Sequence, residues 1–466
     1  MNKLHIICTL LFGVAVLLFF GLAYPHHLHY QEQYQLFLFD STYAWEVVSK
    51  PGGVADLLGR FCTQFFLFAW IGAVIIALLL MEVQLLTLRL FRSASPLDSA
   101  KNVQRSMFYG LSFVPSFLLW LFLLDEHALL GGVWAVLLTQ LALWLYVKLP
   151  KGWVRYSVMV VTLPILYYMV GPDWNGSHYY RYPTVVPTLL YAAWLTAIIL
   201  PFVACVLQRR VGDSKHSMVA LASFVLVAAV MGTLVWKNAN FKAEKVMKYD
   251  FMACHQQWNR ILETANAERP NNQIGVTVQN LSLAMHGLLA DHLFDYNQNG
   301  ILGLLPDVQS DATSPMPTAE AFYQLGMINV AQRTVFEAQE AILDFQKSGR
   351  CYKRLAQTNL ILGSYEVARK YLTALQKTLF YSDWANETLA LMGNEEAIAK
   401  HPEYGRLRQW SYKNDFYFSD HVTPEMLESL YYGNKENRLA LEYLRAYYML
   451  TGDREGYAKL LLNVER

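Results

Sequence analysis

The pattern of apolar and polar positions changes character once, near Lys237. Before it, long apolar runs recur with short polar breaks. After it, the sequence is more polar, reads as helix and is weakly repetitive. A helix needs roughly 20 apolar residues to cross a bilayer core. Seven runs meet this, near 4–24, 62–82, 107–124, 129–147, 153–170, 185–207 and 217–236. The first follows Met-Asn-Lys, is too long for a signal-peptide core and has no small-x-small cleavage site after it. It reads as an uncleaved signal anchor.

Basic residues in short loops set the orientation of such helices. Lys3 precedes the first run. Arg89, Arg92, Lys101 and Arg105 lie between the second and third. Lys148, Lys151 and Arg155 lie between the fourth and fifth, and Arg209, Arg210 and Lys215 between the sixth and seventh. The alternate loops are poor in basic residues: Asp125-Glu126-His127 is one, and 171–183 holds only Arg181. The expectation is an N-terminus inside, seven crossings, and the segment after 237 outside. In a bacterial cell this means the inner membrane with a periplasmic C-terminal half.

Composition agrees with a mixed chain. Hydrophobic residues make up 54% of the 466, charged residues 16%, and mean hydropathy is +0.21. A net charge of +1 gives no sign of nucleic-acid binding. Five cysteines (Cys8, Cys62, Cys205, Cys254, Cys351) form no metal-ligand spacing, and no cofactor is expected. Cys254 and Cys351 are either a pair or two separate buried thiols. Span interiors lack ionisable residues; Glu82 and Arg155 fall near inner ends, and Gln140 is the strongly polar side chain deep in a span. Intramembrane charge is costly and usually functional. Its absence argues against an ion-coupled transporter or charged pore.

Polar groups gather instead in the outer loops. The first, 25–60, carries His26, His27 and His29, then an aromatic, amphipathic stretch over 31–49 that suits an interfacial helix. The histidines have no spaced partner and read as a solvated cluster without metal. Pro51-Gly52-Gly53 turns the chain, and Asp40-Ser41-Thr42 has the form of a helix N-cap. The loop near 171–183 adds His178, Tyr179, Tyr180 and Arg181. In topology this plan resembles membrane glycosyltransferases of the polyprenyl-phosphate-sugar type. That resemblance implies Asp40 as a general base with Glu46 as second carboxylate, and Arg60, Arg181 and His178 as substrate-binding groups. The chain departs from that family in lacking an adjacent acidic pair in this loop and in its low number of spans.

The second half pairs helices around glycine turns. Leu355-Ala356, Gly363, Tyr365, Ala368 and Leu372 resemble the tetratricopeptide (TPR) pattern. Leu325-Gly326 with Ala338, and Leu444, Tyr448, Gly452 and Leu461, give two more units, and Lys248 to Ala267 a degenerate fourth. Such stacks offer a concave groove to a peptide or protein. Asp295 to Gly300 matches half of a calcium loop, but Pro306 stands where the bidentate Glu belongs, so a polar turn is expected. No nucleotide loop, hydrolase triad order or HExxH motif is present. The whole chain also resembles a group of Bacteroidetes-type inner-membrane proteins with several spans and a periplasmic TPR-like region. The residues carrying that resemblance are Glu32-Gln33-Tyr34, Pro51-Gly52-Gly53, Phe61 to Phe66, and Asn297 to Leu304. It implies location and architecture and no activity. The expected fold class is all-α, a seven-helix bundle (1–237) followed by a TPR-like helical domain (238–466). The expected role is a scaffold for envelope protein partners, with the transferase as the alternative.

Overall fold

The computed structural model describes residues 3–94, 109–150, 152–171, 179–182, 185–207, 216–307, 315–342, 346–412 and 423–464. Every regular element among them is helical, and the only extended pairings are isolated bridges at Ala128–Tyr180 and Asn299–Ile301. The chain divides into two compact units, Met1–Phe241 and Lys242–Arg466.

In the first unit α1 (Lys3–Leu18) runs on through a π-turn at Phe19–Ala23. Three short helices follow: α2 (Pro25–Glu32), α3 (Ser41–Val48) and α4 (Gly53–Thr63). Then come α5 (Ala69–Ala94), α6 (Val114–Phe122), α7 (Gly131–Lys148), α8 (Trp153–Val170), α9 (Thr188–Leu207) and α10 (His216–Asn238). Five helical stretches have the length and apolarity to cross a membrane: Lys3–Ala23, Ala69–Ser93, Gly131–Lys148, Trp153–Val170 and Met218–Asn238. Tyr109–Phe122 and Thr188–Val203 are apolar but shorter over the described residues. The helices α8 and α10 bury little of themselves, and Val160, Val161, Val225 and Leu226 are exposed. A bilayer satisfies such a surface and water does not.

α5 is the hub, packing against α1, α6, α7 and α9. Its interior contacts are partly polar. The Thr9 hydroxyl donates to Gln84 Oε1 (3.0 Å), and Gln84 Nε2 to Ser112 Oγ (2.9 Å). Gln140 Nε2 donates to Thr87 Oγ1 (2.8 Å). Interhelical bonds of this kind hold apolar helices together where hydrophobic contrast is weak.

The second span differs from expectation. The apolar run from 62 is not one helix: α4 passes into a 3-10 turn at Gln64–Leu67, and Phe68 is extended, so α5 starts only at Ala69. Two consequences correct the sequence reading. Gln84 joins Gln140 as a buried polar side chain within a span. Glu82, placed at an inner end, falls ~20 Å along α5, where it is half-buried and bonded to Arg89 at 2.9 Å. The amphipathic stretch 31–49 is likewise not one helix: it takes in the end of α2, an extended segment and α3. Of the basic residues that set the expected orientation, Lys101, Arg105, Lys151, Arg209, Arg210 and Lys215 lie outside the described residues.

The second unit consists of helix pairs. The four repeats read in the sequence fall on Phe241–Cys254 with Trp258–Glu268, Pro315–Leu325 with Ile328–Glu340, Gly349–Leu362 with Tyr365–Leu375, and Arg438–Thr451 with Arg454–Val464. Gly326, Gly363 and Gly452 sit at φ 88°, 80° and 72°, the left-handed turn that ends the first helix of a pair. A solenoid contacts only its neighbours. Here Arg438–Thr451 also packs on Gln273–Met285, Leu289–His292 and Pro315–Leu325, and Tyr404–Trp410 lies on Pro315–Leu325 and Gly349–Leu362. The helices of this unit therefore pack beyond their sequence neighbours, unlike those of a simple solenoid.

Candidate functional site

One end of the first unit collects the polar loops. Pro25 opens α2 without loss of a backbone donor, and the helix carries His27 inward, where its Nε2–H donates to Leu123 O at 2.9 Å. The expectation of a solvated histidine cluster is corrected at this position. Burial pushes the His27 pKa down to about 4 against the opposing pull of Leu123 O and Asp125, so the ring is neutral. Gln31 Nε2 donates to Ala128 O (3.1 Å). The strand-like contact 127–129 with 179–181 is made by Leu129 N to Tyr179 O (3.0 Å) and Arg181 N to His127 O (2.8 Å). Tyr180 OH donates to Asp125 Oδ2 (2.7 Å), and Asn240 N to Tyr24 OH (3.1 Å). Four segments far apart in sequence thus meet at one end.

The expected carboxylates lie on α3. Asp40 is its N-cap: Oδ1 accepts from Tyr43 N at 3.1 Å, in extended backbone. Glu46 is exposed on the same helix. Beside them Phe37, Phe39, Tyr43, Phe61 and Phe65 form an edge-to-face cluster, with Trp45 turned outward.

The two expected arginines have different surroundings. Arg60 stands one turn after Asp56 on α4 and forks onto it, with Nε 3.0 Å from both carboxylate oxygens and Nη2 2.7 Å from Oδ2. Burial works against the Arg60 charge, and Asp56 and Tyr43 more than offset it, so its pKa is held above the ordinary value. This helix is fixed by a close crossing of α7. A Cβ on Gly59 would lie 2.4 Å from Gly131 N, so only glycine fits. Arg181 has no such acid among the described residues. Its Cζ lies 3.7 Å over the Tyr34 ring, and Nη1 is 3.5 Å from Tyr30 OH. His178 lies outside the described residues.

No site role was read from sequence for Asp56, Gln35, Tyr34 or Glu126. Asp56–Arg60 carried a signal, the i,i+4 acid–base spacing of a helix. Gln35 carried none, because it lies in extended chain and its neighbours come from other loops.

A family comparison decides membership. The chain belongs to the family of unknown function DUF6057. The family model matches residues 2–174 and 172–465. No curated protein and no solved structure matches the chain. The DUF6057 match spans both units and attaches no chemistry to either.

In the second unit of this DUF6057 protein, buried charges are paired. Arg350 forks onto Asp250 at 2.6 and 2.8 Å. Arg354 pairs with Glu320 and lies 3.7 Å over the Tyr323 ring. Tyr323 OH donates to Glu403 Oε1 (3.0 Å). The calcium-like loop turns its amides onto the protein: Asn297 Nδ2 donates to Arg269 O (3.1 Å) and Asn299 Nδ2 to Asn271 O (3.3 Å). No metal-holding group of three His, Cys, Asp or Glu occurs among the described residues. Cys254 and Cys351 are free thiols.

Proposed function

We propose that this is a bacterial inner-membrane protein that holds a TPR-like helical unit in the periplasm as a docking scaffold for envelope proteins. The seven-crossing topology draws support from the loops. Segments 24–31, 123–129, 179–181 and Asn240 meet at one end, as alternate crossings require. At the other end of the helices, Arg89 and Lys148 lie over Trp144 and Arg155 over Tyr146, a basic and aromatic rim of the cytoplasmic kind.

The observation that carries the docking reading is the last helix, Arg454–Val464. It buries Leu460 and leaves Leu461 and Leu462 exposed, the latter by 64%. Two adjacent exposed leucines on an otherwise polar helix form an apolar patch that a partner can cover. The fitting partner presents an apolar patch to this helix. Photocrosslinking from position 462 in native membranes should capture one partner, and Leu462→Glu should abolish capture with insertion and melting unchanged. Retention of that partner by Leu462→Glu overturns the reading.

A second reading, transfer from a polyprenyl-linked sugar, gains from Arg181, a buried cation whose contacts include no carboxylate among the described residues. Its expected base, Asp40, caps α3.

A further inference from the structure

Arg181 is 7% exposed, yet among the described residues its side-chain partners are tyrosines: the Tyr34 ring, the Tyr30 hydroxyl and, at 5.6 Å, the Tyr182 ring. Its Nε–H has no acceptor among the described residues. Arg60, Arg350 and Arg354, whose side chains are also little exposed, each hold a carboxylate. Ring faces compensate a cation only partly, and a buried cation without a counter-ion is costly.

Gln35 makes the same point independently. It is 2% exposed, and neither its Oε1 nor its Nε2 has a partner among the described residues. A buried amide with both ends unmet is destabilising unless something fills its bonds. Gln35 and Arg181 line one small pocket, with Thr63 and Glu126 on its other walls. The enclosed space is about 10 Å³, roughly the room of one water.

We propose that this pocket is an oxyanion site that takes one terminal oxygen of a phosphate group, from a lipid headgroup or from free phosphate. Arg181 Nε–H and Gln35 Nε2–H are the donors to that oxygen. Gln35 Oε1 is the acceptor for a protonated phosphate oxygen or a neighbouring hydroxyl. The volume admits a single oxygen, so the rest of the group stays at the mouth. Tyr34 fixes the guanidinium plane from one side, which leaves its edge for the ligand. Glu126 forms no ion pair with Arg181, and its carboxylate opposes an incoming anion. The proposal does not depend on the docking reading; it shares Arg181 with the transferase reading and does not need Asp40, so Asp40→Asn tests that reading separately.

The test uses the full chain. In detergent, inorganic phosphate is titrated by calorimetry. In nanodiscs, retention of phosphatidylglycerol against phosphatidylcholine is read by native mass spectrometry. One site is expected in one arm: phosphate binding identifies a free anion, and phosphatidylglycerol retention a headgroup. Arg181→Gln should weaken binding at least tenfold and Gln35→Leu several-fold, whereas Lys50→Ala at an exposed turn should leave it unchanged. Glu126→Gln should tighten it several-fold, which keeps the proposal testable should Arg181→Gln fail to fold. Three results overturn it: no binding in either arm, binding that Arg181→Gln leaves intact (an adventitious ion only), or a Glu126→Gln protein that melts lower without binding tighter. The last would make Glu126 the water-bridged counter-ion of Arg181.

Discussion

Arg60 and Arg181 are buried at the same end of the first unit, and they are held in different ways. Arg60 is closed by Asp56, four residues away on its own helix. Arg181 is walled by tyrosines from a segment about 150 positions earlier in sequence and faces an unmet amide. A cation with its acid beside it is explained by the fold. A cation left with rings and an empty donor asks for a ligand. The second unit supplies more of the first kind, Arg350 with Asp250 and Arg354 with Glu320.

The contrast is sharpest where a closed pair is opened. Asp250→Ala strands Arg350, and breaking a buried pair costs about 3–5 kcal/mol. For a unit of this size that lowers the melting temperature by roughly 10 °C, measurable on the detergent-solubilised chain. Replacing both partners with apolar residues of similar volume should recover most of the loss. A fall of only a degree or two for Asp250→Ala would mean that the pair is not buried in solution.

The direct comparison comes next. Arg60→Gln leaves Asp56 buried without its cation and should cost about 3 kcal/mol. Arg181→Gln removes contacts with rings and should cost about 1 kcal/mol or less. Equal losses in thermal melts would erase the distinction between the two arginines.

His27 adds a pH arm at the same end. Its folded pKa lies at about 4, below the ordinary 6.5. Above 6.5 both folded and unfolded forms are neutral and stability is full. As pH falls from 6.5 toward 4 the unfolded chain takes up the proton first, so stability drops, by about 3 kcal/mol once both are passed. His27→Gln should flatten that part of the profile. Asp125 and His127 face the same ring, so a slope that survives in His27→Gln would belong to them.

What was legible follows from the range of the interactions. Apolar runs and glycine turns are local, so most of the long helices and the helix pairs could be read from sequence. The break at Phe68 was hidden because Phe61 to Ile71 is almost continuously apolar, and hydropathy does not see an extended residue. The error moved the second span seven residues and with it Gln84 and Glu82. Packing of Arg438–Thr451 back onto Gln273–Met285 joins segments too distant for any periodicity to signal. At the site, Asp56–Arg60 was readable in principle from helical spacing. The Gln35–Arg181 pocket was not, because the loops that build it come together only through bonds such as Gln31 to Ala128 O and Arg181 N to His127 O.

The smallest effect separates the two functional readings. Asp40 caps α3 through Oδ1 and Tyr43 N. Asparagine keeps an acceptor in that place, so Asp40→Asn should change stability by a few tenths of a kcal/mol, whereas Asp40→Ala should lose about 1 kcal/mol. A general base cannot survive the change to asparagine. If α3 is only a capped interfacial helix, cells carrying Asp40→Asn keep a wild-type envelope polysaccharide profile, and partner capture at position 462 is unaffected. If the profile changes while the melting temperature holds, Asp40 does chemistry as well as capping, and the docking reading would no longer account for the membrane unit.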